Sequence, residues 1–564
     1  MTARRRTGHA LVLLGYAIVA FGYFGVRLLP HPGRYILGYG RDPQIFVWAF
    51  AWWPHAIGTG QNPIVSPVIY APHGIDLAWA TTVPAVSVAF APLTLLFGPT
   101  ASFNVAAMLM PALAAWTAYL LCRHVTRSTW ASVVGGYLFG FSSYMLGQEQ
   151  GHLHMTAVFL VPLVPLVVIR YLQSELDGRA LAMRLGPLLA LQLWISTEIL
   201  VTLLFGLAVC LALAYALLPE TRSRIRRLGR PLGGAAVISI VLTGPLLYYL
   251  LTDFQSNSIN VPSNFDGDVM NFLLPTRLIA VGGDRFSSIA LHFRGNEAEQ
   301  GAYLGLPTLA IAAWSVKDAK RSAGARFLVV ATVLAGFVTL GTGVVWRGQT
   351  KAWLPWRLVA RLPVFDNVLP ARLSAYMALG AAVLVAAWIA RRRGPLRWVL
   401  PVLAVAALVP AVWRPDYVSH PERWPFFTQG IYKACFPKGQ NVAIFPFGSE
   451  DNSTLWQAES DFWFRMPEGY LTPDPPAASL ADPVVKELTF TNEIPTPAQI
   501  LSLAKAEKVD RILSVDIYTH PDGTQMHRFG AVQDMGGVLI SPGCGYPSLR
   551  KGVHPTPPHP PKQS

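Results

Sequence analysis

Charged residues are scarce in this chain. They make up 13% of its 564 residues, against about a quarter in an ordinary soluble domain. So few charges cannot cover a water-exposed surface, and a fully soluble globular protein is excluded. Acidic residues are the scarcer sign, 31 against 45 Lys and Arg, for a net charge of +14. Cysteine is scarce too, with four in all, which excludes a disulfide-dense secreted scaffold. No segment recurs at a fixed period, so the chain is not a repeat array. No run of His and Cys has an established zinc spacing.

Apolar residues take the place of the missing charge. Hydrophobic types reach 52% and the mean hydropathy is +0.38. About eleven apolar stretches fill residues 1–414, where a membrane-crossing helix needs roughly 20 residues. They are predicted near 11–29, 104–122, 130–147, 155–171, 184–197, 199–218, 232–252, 302–316, 326–345, 374–390 and 397–413. The stretch at 83–97 is short and holds Pro84 and Pro92. It reads as a juxtamembrane or re-entrant segment. Counting it as a crossing would put Arg123, His124 and Arg127 on the wrong side.

With that exception the loop charges alternate. Arg4, Arg5 and Arg6 precede the first stretch, and the loops 123–127, 170–179, 222–230, 317–326 and 391–397 are all basic. This is the positive-inside pattern. It assigns the excess charge to topology rather than to nucleic-acid binding. The first stretch lacks a clear cleavage site and reads as a retained span, not a signal peptide. The N-terminus is then cytoplasmic. Segments 30–103, 148–154, 253–301, 346–373 and everything after Arg414 lie outside. The Arg-, Ala- and Leu-rich composition suggests a bacterial inner membrane.

Residues 415–550 read as a small α/β domain, with strands at 441–447, 511–515 and 537–540 and an amphipathic helix at 497–509. Residues 551–564 are Pro-rich and predicted disordered. Cys122 and Cys210 fall in apolar spans, whereas Cys435 and Cys544 fall in the outside tail and can pair there as a disulfide.

Five polar clusters stand out. Asp42-Pro43-Gln44 opens an apolar segment carrying Trp48, Trp52 and Trp53. Asp42 suits an N-cap and Pro43 the first helical turn, while tryptophans suit a bilayer interface. Asp42 is either a cap alone or also a general base held at the membrane surface. Glu149, His152 and His154 crowd one short outside turn, which is a solvated connector or a holder of metal, phosphate or sugar. Glu198 sits at the apex of a helical hairpin. A carboxylate near lipid depth faces a polar cavity or makes a structural hydrogen bond. Asp266 and Asp268, with Asn271, Glu297 and Glu299 nearby, lie in the long outside loop, as a hard-oxygen cation site or as ordinary loop acids. Arg372 enters a span from the outside, to grip a phosphate through its planar fork or to snorkel.

The stretches Asp42-Pro-Gln44, Gly151-His-Leu-His154, Tyr303-Leu-Gly-Leu-Pro307 and Leu369-Pro-Ala-Arg372, in this order and topology, resemble the GT-C superfamily of integral-membrane glycosyltransferases. The resemblance covers nearly the whole chain. It implies a polytopic α-helical membrane domain at 1–414 with an extracytoplasmic α/β domain. It also implies transfer of a sugar, hexosyl or pentosyl, from a polyprenyl-phosphate donor to a glycan, lipid or protein acceptor. Asp42 is then the general base. Gln44, Glu149, His152, His154, Glu198 and Arg372 bind substrate, with Arg372 at the lipid phosphate. A divalent cation, Mg or Mn, would fall to Asp266 and Asp268. One departure is visible: relatives often pair acids in the first loop, whereas Pro43 and Gln44 follow a single Asp42. Either a water or metal then does part of the work, or the partner acid is Glu149 or Glu198. The rival readings are a lipid-linked sugar flippase and a non-catalytic envelope-assembly protein. The first is disfavoured by the missing repeat and one-sided polar residues, the second by spans in excess of an anchor's needs.

Overall fold

The computed structural model describes residues 3–252, 260–421, 423–445, 447–448, 452–472, 475–490, 496–519 and 525–530. The chain divides into two compact units. One comprises Met1–Ile64 with Leu77–Pro421, the other Val65–Asp76 with Glu422–Ser564.

The first unit is a helical assembly. In chain order it holds α1 (Ala3–Ala20), α2 (Asp42–Gly58), α3 (Pro84–Ala89), α4 (Ala91–Phe97), α5 (Pro99–Thr126), α6 (Thr129–Gly140), α7 (Ser143–Gln148), α8 (Leu153–Thr156), α9 (Leu163–Leu172), α10 (Gly178–Leu193) and α11 (Thr197–Leu217). Then come α12 (Gly229–Thr252), α13 (Leu306–Ala319), α14 (Ala323–Thr339), α15 (Ser374–Arg391) and α16 (Leu396–Ala406), with shorter turns between. The starts follow local chemistry. Ser128, Ser142, Asp177, Ser196 and Ser322 each cap the next helix by accepting a hydrogen bond from a backbone N–H three residues on. Such caps satisfy amides that the helix itself leaves unpaired.

All eleven predicted apolar stretches contain helix. Five helical segments are long and apolar enough to cross a membrane: Thr7–Leu28, Pro99–Thr126, Thr197–Leu217, Gly229–Thr252 and Pro370–Arg391. The other stretches are shorter or broken. Phe141 and Ser142 separate α6 from α7, and residues 157–162 separate α8 from α9. Arg179, Arg184 and Pro187 lie within α10. The five segments also differ in place. Pro370–Arg391 is 83% buried and Pro99–Thr126 is 67% buried, whereas the two beginning at Thr197 and Gly229 are each 22% buried. The first pair forms the centre of the unit. The second pair presents side chains such as Leu204, Val241 and Leu251 outward, as lipid-facing helices do.

Residues 83–97 form α3 and α4 rather than a span, with Leu95, Leu96 and Phe97 exposed. One expectation is corrected. Trp48, Trp52 and Trp53 do not lie at an interface but are buried. The reason is packing: α2 lies against α3, α4 and α5, and the Trp48 and Trp52 rings stack at 5.4 Å.

The second unit is the α/β domain. Val442–Phe445 pairs in parallel with Arg511–Thr519, which pairs antiparallel with Gln525–Gly530. Ala443, Phe445, Phe447, Val485, Leu488 and Leu503 form its core. The helix Pro497–Ala506 starts at a capping box of Thr496 and Gln499. Residues 65–76, placed by sequence in the first membrane loop, belong to this unit instead. Gln457 donates to the Val68 carbonyl at 2.7 Å, and the Asn441 amide donates to the Ala71 carbonyl at 3.3 Å. Cys435 is disulfide-bonded, and Cys122 and Cys210 are free. Cys544, the predicted strand at 537–540 and the predicted disordered end at 551–564 lie outside the described residues.

Candidate active site

Asp42 is the first residue of α2, with Arg41 as the N-cap and Pro43 following. The sequence expectation had Asp42 itself as the cap. Its carboxylate still stands at the positive end of a 17-residue helix, where a negative charge is favoured. The turn between α7 and α8 approaches this helix start closely. The Tyr39 N–H donates to the Gln150 carbonyl at 2.6 Å. A Cβ on Gly151, whose φ is +149°, would lie 2.9 Å from Pro43 Cδ. A side chain there would push the turn away from Asp42.

That approach puts His152 Nε2 3.0 Å from Asp42 Oδ2. His152 Nδ1 lies 2.8 Å from Gln148 Oε1. The Gln148 amide nitrogen donates to the Ala298 carbonyl at 2.9 Å and to Glu299 Oε2 at 3.1 Å. Glu299 receives Arg372 Nε at 3.0 Å and Nη2 at 2.6 Å, and Arg372 Nη1 donates to Glu198 at 2.6 Å. A continuous chain of polar contacts thus runs Asp42–His152–Gln148–Glu299–Arg372–Glu198. Six residues from five parts of the sequence meet in it.

Proton positions follow from the acceptors. Two acceptors, a carbonyl and a carboxylate, fix the nitrogen end of the Gln148 amide, so its oxygen must face His152. His152 Nδ1 therefore carries hydrogen. Nε2 faces a carboxylate, and that contact is attractive only with hydrogen there as well or on Asp42. Asp42 and His152 accordingly share one proton, either as an imidazolium–carboxylate pair or as its neutral tautomer.

Exposure is lowest in the middle of the chain of contacts. The Asp42 side chain is 38% exposed, His152 13%, Glu299 1%, Arg372 14% and Glu198 20%. Asp42 is the more exposed of the two ends. Burial alone would raise the Glu299 carboxyl, but the charge and hydrogen bonds of Arg372, then His152 and Gln148, hold it below the usual carboxylate range. The partner of Arg372 explains why a buried carboxylate stays ionised.

The other predicted residues take no part in this chain of hydrogen bonds, although the His154 ring meets the His152 ring edge-on at 6.0 Å. His154 is buried and stacks on Phe46 at 5.8 Å. Burial, then the charges of Arg372 and His152, push it well below the usual histidine range, so it is neutral at pH 7. Glu149 is buried with Oε1 lacking a hydrogen-bond partner, and burial pushes its carboxyl well up. Among the described residues no hydrogen bond links it to the network. Gln44 is buried on α2. Asp266 accepts hydrogen bonds from Thr342 N at 2.7 Å and Thr342 Oγ1 at 2.6 Å, and burial pushes its carboxyl up to about 6. Asp268 accepts from Met270 N at 2.9 Å and Gly348 N at 2.8 Å. These oxygens fasten loops together. Among the described residues no group of three or more His, Cys, Asp or Glu has the arrangement to hold a metal ion.

Sequence reasoning gave no role to Glu299 or Gln148, which form the centre of the network. Glu299 stood in the sequence beside Glu297, which instead pairs with Arg277 at 2.8 Å. Nothing local distinguishes the two acids. Their partners are far away in the chain.

The network lies in a helical unit whose long apolar helices are able to cross a membrane. The chain belongs to the family whose model is described as a domain of unknown function (DUF6311), which matches residues 12–413. No curated protein matches it by sequence. Among solved structures it is similar to the archaeal oligosaccharyltransferase AglB from Archaeoglobus fulgidus, in complex with an inhibitory peptide and a dolichol-phosphate. That likeness has a TM-score of 0.52 at 12% identity over 94% of this chain and 75% of that one. The apo form of the Archaeoglobus fulgidus oligosaccharyltransferase matches with a TM-score of 0.52 at 14% identity, over 93% and 74%. At such identities the likeness establishes the fold.

Proposed function

We propose that this protein is a membrane glycosyltransferase that moves a sugar from a polyprenyl-phosphate donor to an extracytoplasmic glycan, lipid or protein acceptor, with Asp42 as general base. The observation that carries the reading is the network itself: its most exposed member is a carboxylate, contacted by a histidine and backed by mutually neutralising charges around the buried Glu299. A reactive group needs such support to hold its position.

In the reaction, the acceptor oxygen attacks the anomeric carbon as the bond from that carbon to the lipid phosphate oxygen breaks. The leaving phosphate keeps the electron pair, and the acceptor proton passes to Asp42. The imidazolium form of His152 holds Asp42 in place and is the cation beside it that faces the leaving phosphate's charge. Arg372 acts differently from the sequence expectation. With donors on Glu198 and Glu299, it braces the network instead of gripping phosphate. The residues do not fit a divalent cation as arranged, because both His152 nitrogens and the oxygens of Asp266 and Asp268 are already committed. The lipid-linked donor is supported by the GT-C fold shared with a structure that holds dolichol-phosphate.

The test is Asp42→Asn in purified protein, with radiolabelled polyprenyl-phosphate sugars and cell-envelope extract as acceptor. Transfer should fall by about 10²–10⁴-fold with unchanged expression and thermal unfolding. Full transfer by this variant would remove Asp42 from the reaction. Movement of the lipid-linked sugar across liposomes without transfer would favour the flippase.

A further inference from the structure

A second site lies on a β-hairpin that the proposed chemistry does not use. The strands Gly343–Trp346 and Gln349–Trp353 pair antiparallel through a two-residue turn, Arg347–Gly348. Both turn residues have positive φ, +49° and +77°. Asn-Gly is the usual choice for such a mirror-image turn. Arginine in this left-handed region is strained, and it makes no hydrogen bond or ion pair in the described structure. Its guanidinium is therefore retained against local preference and left unspent.

The hairpin is firmly held. The two acids singled out in the sequence do this: Asp268 accepts from the turn amide Gly348 N, and Asp266 accepts from Thr342 just before the first strand. Arg294 adds bonds to the Gly348 carbonyl at 3.1 Å and to Thr350 Oγ1 at 2.7 Å. Beside the turn is a cavity of about 330 Å³ lined by Ser288, Ile289, His292, Trp346, Arg347 and Gln349. This volume falls in the range of small-molecule sites, about 300–1,000 Å³.

The lining has a definite chemistry. Trp346 is 44% exposed and offers an apolar aromatic plate, with Ile289 beside it. His292 Nδ1 donates to the Ser288 carbonyl at 2.8 Å, which leaves Nε2 as an acceptor. Gln349 Oε1 accepts from Lys351 at 2.8 Å, which leaves its amide hydrogens as donors. Arg347 adds a planar fork of donors. An apolar plate rimmed by mixed donors and acceptors matches a sugar ring, whose C–H face is apolar and whose hydroxyls both donate and accept. The lining holds an arginine and no carboxylate, which favours an acidic sugar.

We infer that the cavity beside the Trp346–Gln349 turn is a saccharide-binding site with a preference for sugars carrying a carboxylate. It stands on its own geometry and needs no assumption about transfer at Asp42. The test is saturation-transfer NMR with the full-length protein in detergent, using trigalacturonate and maltotriose as probes. Trigalacturonate should bind more tightly than maltotriose. Trp346→Ala should abolish both signals. Arg347→Gly relieves the turn and so preserves the hairpin, yet should weaken trigalacturonate by about tenfold, to the level of maltotriose. Asp42→Asn should bind both probes as the native protein does, so loss of catalysis and loss of this site are separable. Absence of binding by either probe, or binding unchanged in Trp346→Ala and Arg347→Gly, would overturn the inference.

Discussion

The Asp42–His152 contact carries a residue-scale prediction for the proposed base. With Nε2 3.0 Å from Asp42 Oδ2, His152 fixes where that carboxylate stands, and misplacing a reacting group can cost about 10²-fold in rate. His152→Ala should therefore lower kcat by about 10²-fold with little change in the unfolding temperature. An unchanged kcat would remove His152 from the positioning of Asp42. Arg372 is tested differently. Arg372→Met leaves Glu198 and Glu299 facing each other without a cation, and breaking a buried pair this way costs about 3–5 kcal/mol. Thermal unfolding in detergent should show the loss, and the double variant Arg372→Met/Glu299→Gln should recover part of it. Equal losses in the single and double variants would mean that the guanidinium contributes mainly by packing.

At the level of elements, the site depends on how closely α7 approaches the loop that carries Glu299. A Cβ at Gly147 would collide with the carbonyl of Ala298, next to the Gln148–Glu299 contact. Backbone cannot yield as a flexible side chain can. Gly147→Ala should cost about 1–3 kcal/mol by overpacking and displace Glu299 from Gln148. Transfer should fall more steeply than stability, as seen by comparing kcat/KM with the unfolding temperature. If both are unchanged, the helix and loop are more loosely coupled than their contact distance says. The same logic explains why broken helices surround the site. The α6–α7 and α8–α9 interruptions fall at buried residues such as Phe141, Ser142, Ala157 and Val158, and irregular backbone is tolerated at membrane depth only where it is buried in protein or lines a cavity.

At the level of the whole molecule, the proposed orientation is testable through exposed positions in loops of opposite sign. Ser223 lies in the basic loop before α12, and Glu487 lies on the helix Pro483–Phe490 of the α/β domain; both are exposed. In a background lacking Cys122 and Cys210, a membrane-impermeant thiol reagent applied to intact cells with a permeable outer envelope should label Glu487→Cys. Ser223→Cys should be labelled only after lysis. Labelling of both in intact cells would break the inside–outside assignment and with it the placement of Asp42 on the donor's side. The family match over residues 12–413 covers most of the membrane unit and, of the α/β unit, only Val65–Asp76. The membrane unit carries the whole ionic network.

Much of this protein follows from local sequence. Apolar runs must leave water, so the places of the apolar helices could be read without coordinates. Pro43 after Asp42, and Ser or Asp ahead of several helices, announced where helices start because caps act within a few residues. Tertiary structure alone decided which helices sit at the centre, since burial of Pro370–Arg391 against exposure of Gly229–Thr252 depends on neighbours rather than hydropathy. It also decided that the tryptophans of α2 are core, that residues 65–76 join the α/β unit, and that Glu299 rather than Glu297 or Glu149 meets Arg372. Those outcomes turn on contacts such as Arg372–Glu299 and Gln148–Glu299, whose partners are 73 and 151 residues apart. Charge pairing over such separations has no local pattern, because electrostatic attraction depends on distance in space and not on distance along the chain.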